Sequence, residues 1–254
     1  MMDKRLGWVF FISPVFLILT WWLIARSGQY SADVLVPPKD VLLTLAELYQ
    51  SGELAMHLKA SFYRLGAGFG LGAAGGILFG ILMATSKQVE AFFLPLFQAL
   101  RQVPTITLIP ILILLLGVDE AFKVIIVFKA AFLTVGLAAY EATKGVPKNY
   151  FEVAKVYDLP KKTIYTRIVF PAIIPQLFTG LRIAFSRSWT ILVAAELLAS
   201  DSGVGQMMQF GRDTFRMDIV MVGVLITGVV GFSIDRMMKL LEIRMIPWQS
   251  VRAG

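Results

Sequence analysis

The chain of 254 residues is 57% hydrophobic and only 16% charged, with a formal net charge of +7 and a mean hydropathy of +0.73, a composition that excludes an ordinary soluble domain and predicts an integral membrane protein. No polar stretch is long enough for a separate soluble domain, so residues 1–254 read as one transmembrane domain. The lack of cysteine excludes disulfides and thiolate chemistry, and the single histidine, His57, excludes a multi-histidine metal site. The basic residues lie at the ends of apolar runs and not among exposed aromatics on a polar scaffold, which points to a lipid bilayer and away from nucleic acid.

Apolar stretches near the roughly 20 residues that cross a hydrocarbon core fall at 7–25, 62–85, 104–118, 122–140, 172–199 and 217–238, predicting an all-α protein with six transmembrane helices. The basic start of the first also fits a signal peptide, but its length and the lack of a small-x-small cleavage site favour a retained span. Residues 37–57 are expected to form an outer loop with one amphipathic helix along the interface. In the second span Gly68, Gly72, Gly76 and Gly80 recur every fourth residue, a face that lets backbones approach closely in lipid. Packing within one subunit is the favoured use of that face, with a dimer seam as the alternative. The third span is short and carries Pro104 and Pro110, which predicts a broken element whose freed backbone groups face protein or a water-filled path. Pro104, Thr105 and Pro110 are therefore placed on the candidate translocation path.

Between the fourth and fifth spans lies a loop at 141–171 whose later part is the most charged stretch of the chain. Pro147 suits a first helical turn, and Tyr150, Phe151, Ala154 and Tyr157 follow at helical spacing. Asp158, Leu159 and Pro160 break that helix, and a second carries Ile164 and Ile168, giving a cytoplasmic helix-turn-helix that ends at Pro171. A basic loop that merely holds topology is the plainer reading, yet such a loop has no use for regularly spaced aromatics, which call for a protein partner.

The fifth span admits Arg182, Arg187 and Glu196 into an apolar helix. At 100° per residue Arg182, Trp189, Val193 and Glu196 share a narrow arc and Arg187 points away from it. One expectation puts that arc on the translocation path, with Arg182 attracting an anion, Trp189 closing the path and Glu196 shaping the outer mouth. Its equal is structural, with Arg182 held by a neighbouring carbonyl or acid and Glu196 by a hydroxyl. A shorter small-residue face, Gly223, Thr227 and Gly231, marks the last span. With the N-terminus inside, lysine and arginine favour the cytoplasmic segments about two to one, which places both termini in the cytoplasm.

Glu152, Val153 and Ala154, the break at Asp158, and then Ile168, Val169, Phe170 and Pro171 resemble the EAA loop of ABC importer permeases. The resemblance covers most of the chain through "HLKASFYRLGAGFGLGAAGGILFG", "PTITLIPILILLLG", "FPAIIPQLFTGLRIAFSRSW", "AAELLASDSGVGQMM" and "IDRMMKLLEIRMIPW", and is closest to the nitrate, sulfonate and taurine branch. It implies a type I importer permease in a bacterial cytoplasmic (inner) membrane. Tyr150, Phe151, Glu152, Val153, Ala154, Tyr157, Asp158, Ile164, Ile168 and Pro171 would form the coupling loop to an ATPase. The implied partners are two ABC ATPase subunits that bind ATP and Mg, a second permease chain with a homodimer favoured, and an extracytoplasmic substrate-binding protein. The implied substrate is a small anion of the sulfonate, taurine or nitrate type, with a thiamine-precursor-like heteroaromatic as the alternative. Val153 stands where the family usually has alanine, and Asp158 where it has glycine. The chain has no G-x-x-x-x-G-K-[ST] phosphate loop, so ATP hydrolysis is expected in a partner and no cofactor on this chain. An intramembrane enzyme would need a G-x-S-x-G or H-E-x-x-H context that His57 lacks, and a secondary transporter would show inverted repeats where only one broken helix is evident.

Overall fold

The computed structural model describes residues 9–27, 29, 31 and 34–246. The first two residues of the first predicted span, the charges Lys4, Arg5 and Arg252, and Pro247 and Trp248 of the last matching stretch lie outside them. The described chain is helical: α1 (Val9–Arg26), α2 (Pro38–Gln50), α3 (Glu53–Thr85), α4 (Lys87–Gln102), a 3-10 turn (Thr105–Leu108), α5 (Ile109–Leu116), α6 (Glu120–Lys144), α7 (Lys148–Val156), the single turn α8 (Lys161–Thr163), a π-helical segment (Ile164–Val169), α9 (Phe170–Leu198), α10 (Val204–Asp213) and α11 (Met217–Met245).

Among the described residues four helices are long and apolar enough to cross a membrane: α3, α6, the continuous run Ile164–Leu198, and α11. The pair Lys87–Gln102 and Thr105–Leu116, bent by 89°, meets the same length and composition together and has the form of a broken span or a re-entrant loop. The apolar part of α1, Pro14–Arg26, is shorter than these. Two boundaries differ from expectation. Residues 87–102, expected as a cytoplasmic segment, form α4 and make the first limb of the bent pair. Phe93 and Phe97 on α4 pack against Phe79 of α3, and Phe97 also against Phe132 of α6, so an apolar face hides within a helix whose ends carry Lys87 and Arg101. The predicted interfacial helix at 37–57 is likewise divided, because Gly52, at φ +81°, turns the chain and residues from Glu53 onward begin α3.

Pro171 does not end the second helix of the loop at 141–171. That helix runs without interruption into the fifth span. Proline has no N–H, and its ring crowds the carbonyl four residues earlier, so the backbone ahead of it widens. The N–H of Phe170 accordingly donates to the carbonyl of Tyr165, five residues back.

The glycine ridge packs against α6. A Cβ on Gly68 would stand 2.7 Å from the carbonyl of Val124, one on Gly72 2.7 Å from that of Phe128, and one on Gly76 2.9 Å from that of Phe132. Each step of four on α3 meets a step of four on α6 in the same direction, so the two helices run parallel with their backbones in contact. Without water to drive apolar surfaces together in lipid, this close approach supplies the attraction. Gly223 of α11 is closed in by Met208 of α10, and a Cβ on Gly231 would stand 3.6 Å from the indole of Trp189. A Cβ on Gly66 or Gly70 would meet nothing within 4 Å. Gly72→Val is expected to lower the thermal stability of the detergent-solubilised protein by about 1–3 kcal/mol, and Gly70→Val to leave it nearly unchanged; equal shifts in the two melting curves would contradict this packing.

Candidate functional site: a cationic cavity, an ion network and an exposed arm

The bend after α4 opens a cavity of 540 Å³ between α4, α6 and α9. Pro104 caps the 3-10 turn without a side-chain hydrogen bond, and Thr107 closes the turn by donating to the Pro104 carbonyl at 2.7 Å. Lys129 of α6 reaches the break from below, with its ammonium 3.4 Å from the Val103 carbonyl and 3.5 Å from the Thr105 hydroxyl. A lysine there supplies protons to backbone that the helix break leaves unpaired, as membrane depth demands. Thr105 lines the cavity, whereas Pro104 and Pro110 are exposed residues outside its lining. Arg101, Lys129 and Arg187 supply its charge, Thr134, Ser186 and Thr190 add hydroxyls, and no carboxylate lines it. Insertion scales put a central lysine or arginine at about 2.5–3.5 kcal/mol, so such residues belong beside protein or water.

The arc of α9 singled out by its shared direction faces the other way. Trp189, Val193 and Glu196 are 2%, 5% and 1% exposed and form part of the subunit's interior. The indole of Trp189 donates to the Thr227 carbonyl of α11 at 3.1 Å and its ring stacks near Phe62, so it fills a helix junction. Arg182 meets Asp235 and Glu242 of α11, each at 3.6 Å. Arg187, a residue pointing away from that arc, is the one that faces the cavity, beside Ser186, Thr190, Ile191 and Ala194. Helical spacing identifies residues that share a face, but the neighbours decide which face turns inward, and here the face with acid and indole partners is buried.

Glu196 belongs to a network at the end where α3 and α6 begin. Arg64 donates through Nε and Nη2 to Glu120, both at 2.6 Å, and through Nη1 to Glu196 at 2.8 Å and to the Ser202 carbonyl at 2.6 Å. Ser61 donates to Glu196 at 2.8 Å and accepts the N–H of Val204 at 3.0 Å, while the N–H of Gly205 donates to Glu196 at 3.1 Å. The carboxylate thus accepts the Gly205 amide in the first turn of α10, where the helix dipole favours an anion. Gly203, at φ +113°, and Gly205 are required there, since a Cβ on either would run into Glu196. His57 accepts the Gly203 N–H at 3.1 Å, and Lys123 joins at 3.3 Å from Glu120. Arg64, Ser61, His57 and Lys123 were not singled out as a site by sequence reasoning; the signal was there, because positions 57, 61, 64 and 68 continue the glycine face of α3. Beyond the spans, Arg216 grips Asp218 at 2.6 Å and its guanidinium pKa is raised by that hydrogen bond, while Thr44 of α2 donates to the same carboxylate at 2.8 Å.

The arm at 148–168 is ordered by its turn. Asp158 adopts φ +49°; its N–H donates to the Lys155 carbonyl at 3.1 Å and the N–H of Leu159 to that of Ala154 at 2.9 Å, the paired bonds of a Schellman ending. Asp158 therefore occupies the left-handed position that the family's glycine would favour. Ala154 is fully buried, and Ile164 packs on Ala142, Val146, Val169 and Ile173. Tyr150, Phe151, Glu152, Val153 and Tyr157 remain exposed, Tyr157 by 73%, and Ile168 is half-buried. Among the described residues no acid, histidine or cysteine cluster is arranged to hold a metal.

Three substitutions test these arrangements. Arg64→Ala strands Glu196 in the interior and is expected to cost about 3–5 kcal/mol, read as a collapsed yield of folded protein in detergent; near-normal recovery would show that the network does not hold the helices. Asp158→Gly removes the left-handed penalty of roughly 1–2 kcal/mol per residue and is expected to raise the melting temperature of the solubilised protein slightly, whereas Asp158→Val lowers it.

Residues 76–247 match the family described as binding-protein-dependent transport system inner membrane component. A protein of Bacillus subtilis (strain 168) that carries the name aliphatic sulfonates transport permease protein SsuC is 36% identical over 99% of this chain and 91% of its own length. The taurine transport system permease protein TauC of Escherichia coli (strain K12) is 29% identical over 91% of this chain and 86% of its own. The crystal structure of an amino acid ABC transporter with histidines shares the fold at a TM-score of 0.63 and 14% identity, covering 80% of this chain and 97% of that one. The all-helical, membrane-spanning chain therefore belongs to the binding-protein-dependent transport system inner membrane components, the non-catalytic permease subunits of ABC importers.

Proposed function

We propose that this permease carries a small anion of the sulfonate, taurine or nitrate type across a bacterial inner membrane, driven by two separate ATPase subunits that bind ATP and Mg and supplied by an extracytoplasmic binding protein. The names of the relatives support the substrate class, and the acid-free cationic cavity supports its charge. In this reading the bent third span and the Arg187 face of α9 border the translocation path. A second copy of the chain completes the path. The end bearing Lys144, Lys148 and Lys155 lies in the cytoplasm together with both termini.

The observation that carries the coupling is the protruding α7. Tyr150, Val153 and Tyr157 recur at helical spacing and are exposed, Val156 is 82% exposed beside them, and Ala154, one helical turn from Tyr150, is the buried residue that anchors the helix. An apolar helical face held out from the membrane domain on a rigid turn fits insertion into a groove of a partner protein. Glu152, on the exposed surface, would meet a basic or backbone-donor site in that groove.

Glu152→Lys is expected to leave the spans inserted while the ATPase no longer co-purifies and substrate-stimulated ATP hydrolysis falls to background. Full recovery of a coupled complex from this variant would sink the docking role. Mass measurement of the solubilised wild-type complex is expected to show two permease chains with two ATPases, and a transporting particle with one permease chain would refute the assembly.

A further inference from the structure

We infer that the cavity between α4, α6 and α9 is a recognition site of the permease itself, built for an organic oxyanion with an uncharged apolar tail and closed to zwitterions and cations. The inference rests on the importer reading and narrows its substrate class. Four cations on the long helices meet acids: Arg64 meets Glu120 and Glu196, Lys123 meets Glu120, Lys144 meets Glu90, and Arg182 meets Asp235 and Glu242. Arg101, Lys129 and Arg187 differ. They come from the end of α4, the middle of α6 and the middle of α9, they surround one space, and no carboxylate shares its lining. Three cations around one space whose lining holds no acid take their compensating charge from what enters.

The donors suit an oxyanion. A guanidinium offers two parallel N–H groups to two oxygens, an ammonium adds a point charge, and the hydroxyls of Ser186 and Thr190 stand on the same face as Arg187. The remaining wall is apolar: Val103 and Ile106 at the break, Leu133 on α6 and Ile191 on α9. That wall has nothing to offer a bare inorganic ion, but it solvates a short hydrocarbon tail. An ammonium group on the same substrate would find no acid and would face three like charges, so an aminosulfonate is rejected by the feature that retains a simple sulfonate. This selection is independent of the binding protein, since it uses side chains of the permease alone.

The experiment is calorimetric titration of the permease–ATPase complex in a non-ionic detergent, without binding protein, using 1-butanesulfonate, 2-aminoethanesulfonate and butyltrimethylammonium as probes. Butanesulfonate is expected to bind at least about tenfold more tightly than the other two. Arg187→Gln and Lys129→Gln are each expected to weaken it by about tenfold or more, with Arg187→Lys intermediate and ATPase recovery unchanged. If neither glutamine variant assembles, the order of the three probes on the wild-type complex decides. No heat with butanesulfonate, equal binding of the aminosulfonate or the ammonium probe, or undiminished affinity in both glutamine variants overturns the site. A wild-type chain that recovers no ATPase would instead refute the importer reading, and the same titrations repeated on the permease chain alone would still report on the cavity.

Discussion

A guanidinium removed from water must find acceptors for its N–H groups inside the protein, and Arg64 finds them on two other helices and a loop. Its bonds to Glu120, Glu196 and Ser202 tie the start of α3 to the start of α6, the end of α9 and the approach to α10. The glycine ridge below brings α3 and α6 close but does not by itself choose their axial register, because a smooth surface of repeating glycines tolerates a slip of one turn, about 5.4 Å. Such a slip would carry Glu120 out of reach of Arg64. The ion network therefore sets the register that the ridge exploits, and the chain spends a buried arginine to define one arrangement among several of similar packing quality.

That arrangement divides α9 into two working faces. Gly180, Ala184, Ser188 and Leu192 lead to Glu196 along the buried side, where small residues and the hydrogen-bonded Glu196 hold the helix to its neighbours. Arg187, Thr190 and Ala194 lie along the cavity side. The helix can tolerate unneutralised charge on one side because the other side anchors it. The broken third span has a similar economy: the backbone that Pro104 interrupts borders the same cavity, and Lys129 serves both the break and the space.

The sequence made legible what depends on spacing along one helix. The four-residue glycine period, the break at Asp158 and the broken element at Pro104 follow from local chemistry, and each has its counterpart in the structure. Contacts between distant segments were not legible. Arg64 and Glu196 lie 132 residues apart, and no periodicity within either helix announces the other. The inward direction of the Trp189 arc was hidden for the same reason, since Asp235, Glu242 and Thr227 of α11 supply the partners. The first limb of the bent pair fell between the predicted spans because Lys87, Glu90 and Arg101 interrupt its apolar run, although Phe93 and Phe97 face the core.

The π-helical segment has a mechanical consequence. By bridging Pro171 without a joint, it makes Ile164–Leu198 one rod of 35 residues. A hinge at Pro171 would let the exposed arm swing while the span stood still. The continuous rod does not. Rotation imposed at Ile164 is delivered to Arg187 about 35 Å away at 1.5 Å per residue, with the buried end at Glu196 as a pivot. The same stiffness works in reverse: whatever pulls on Arg187 within the cavity applies a torque to the exposed arm.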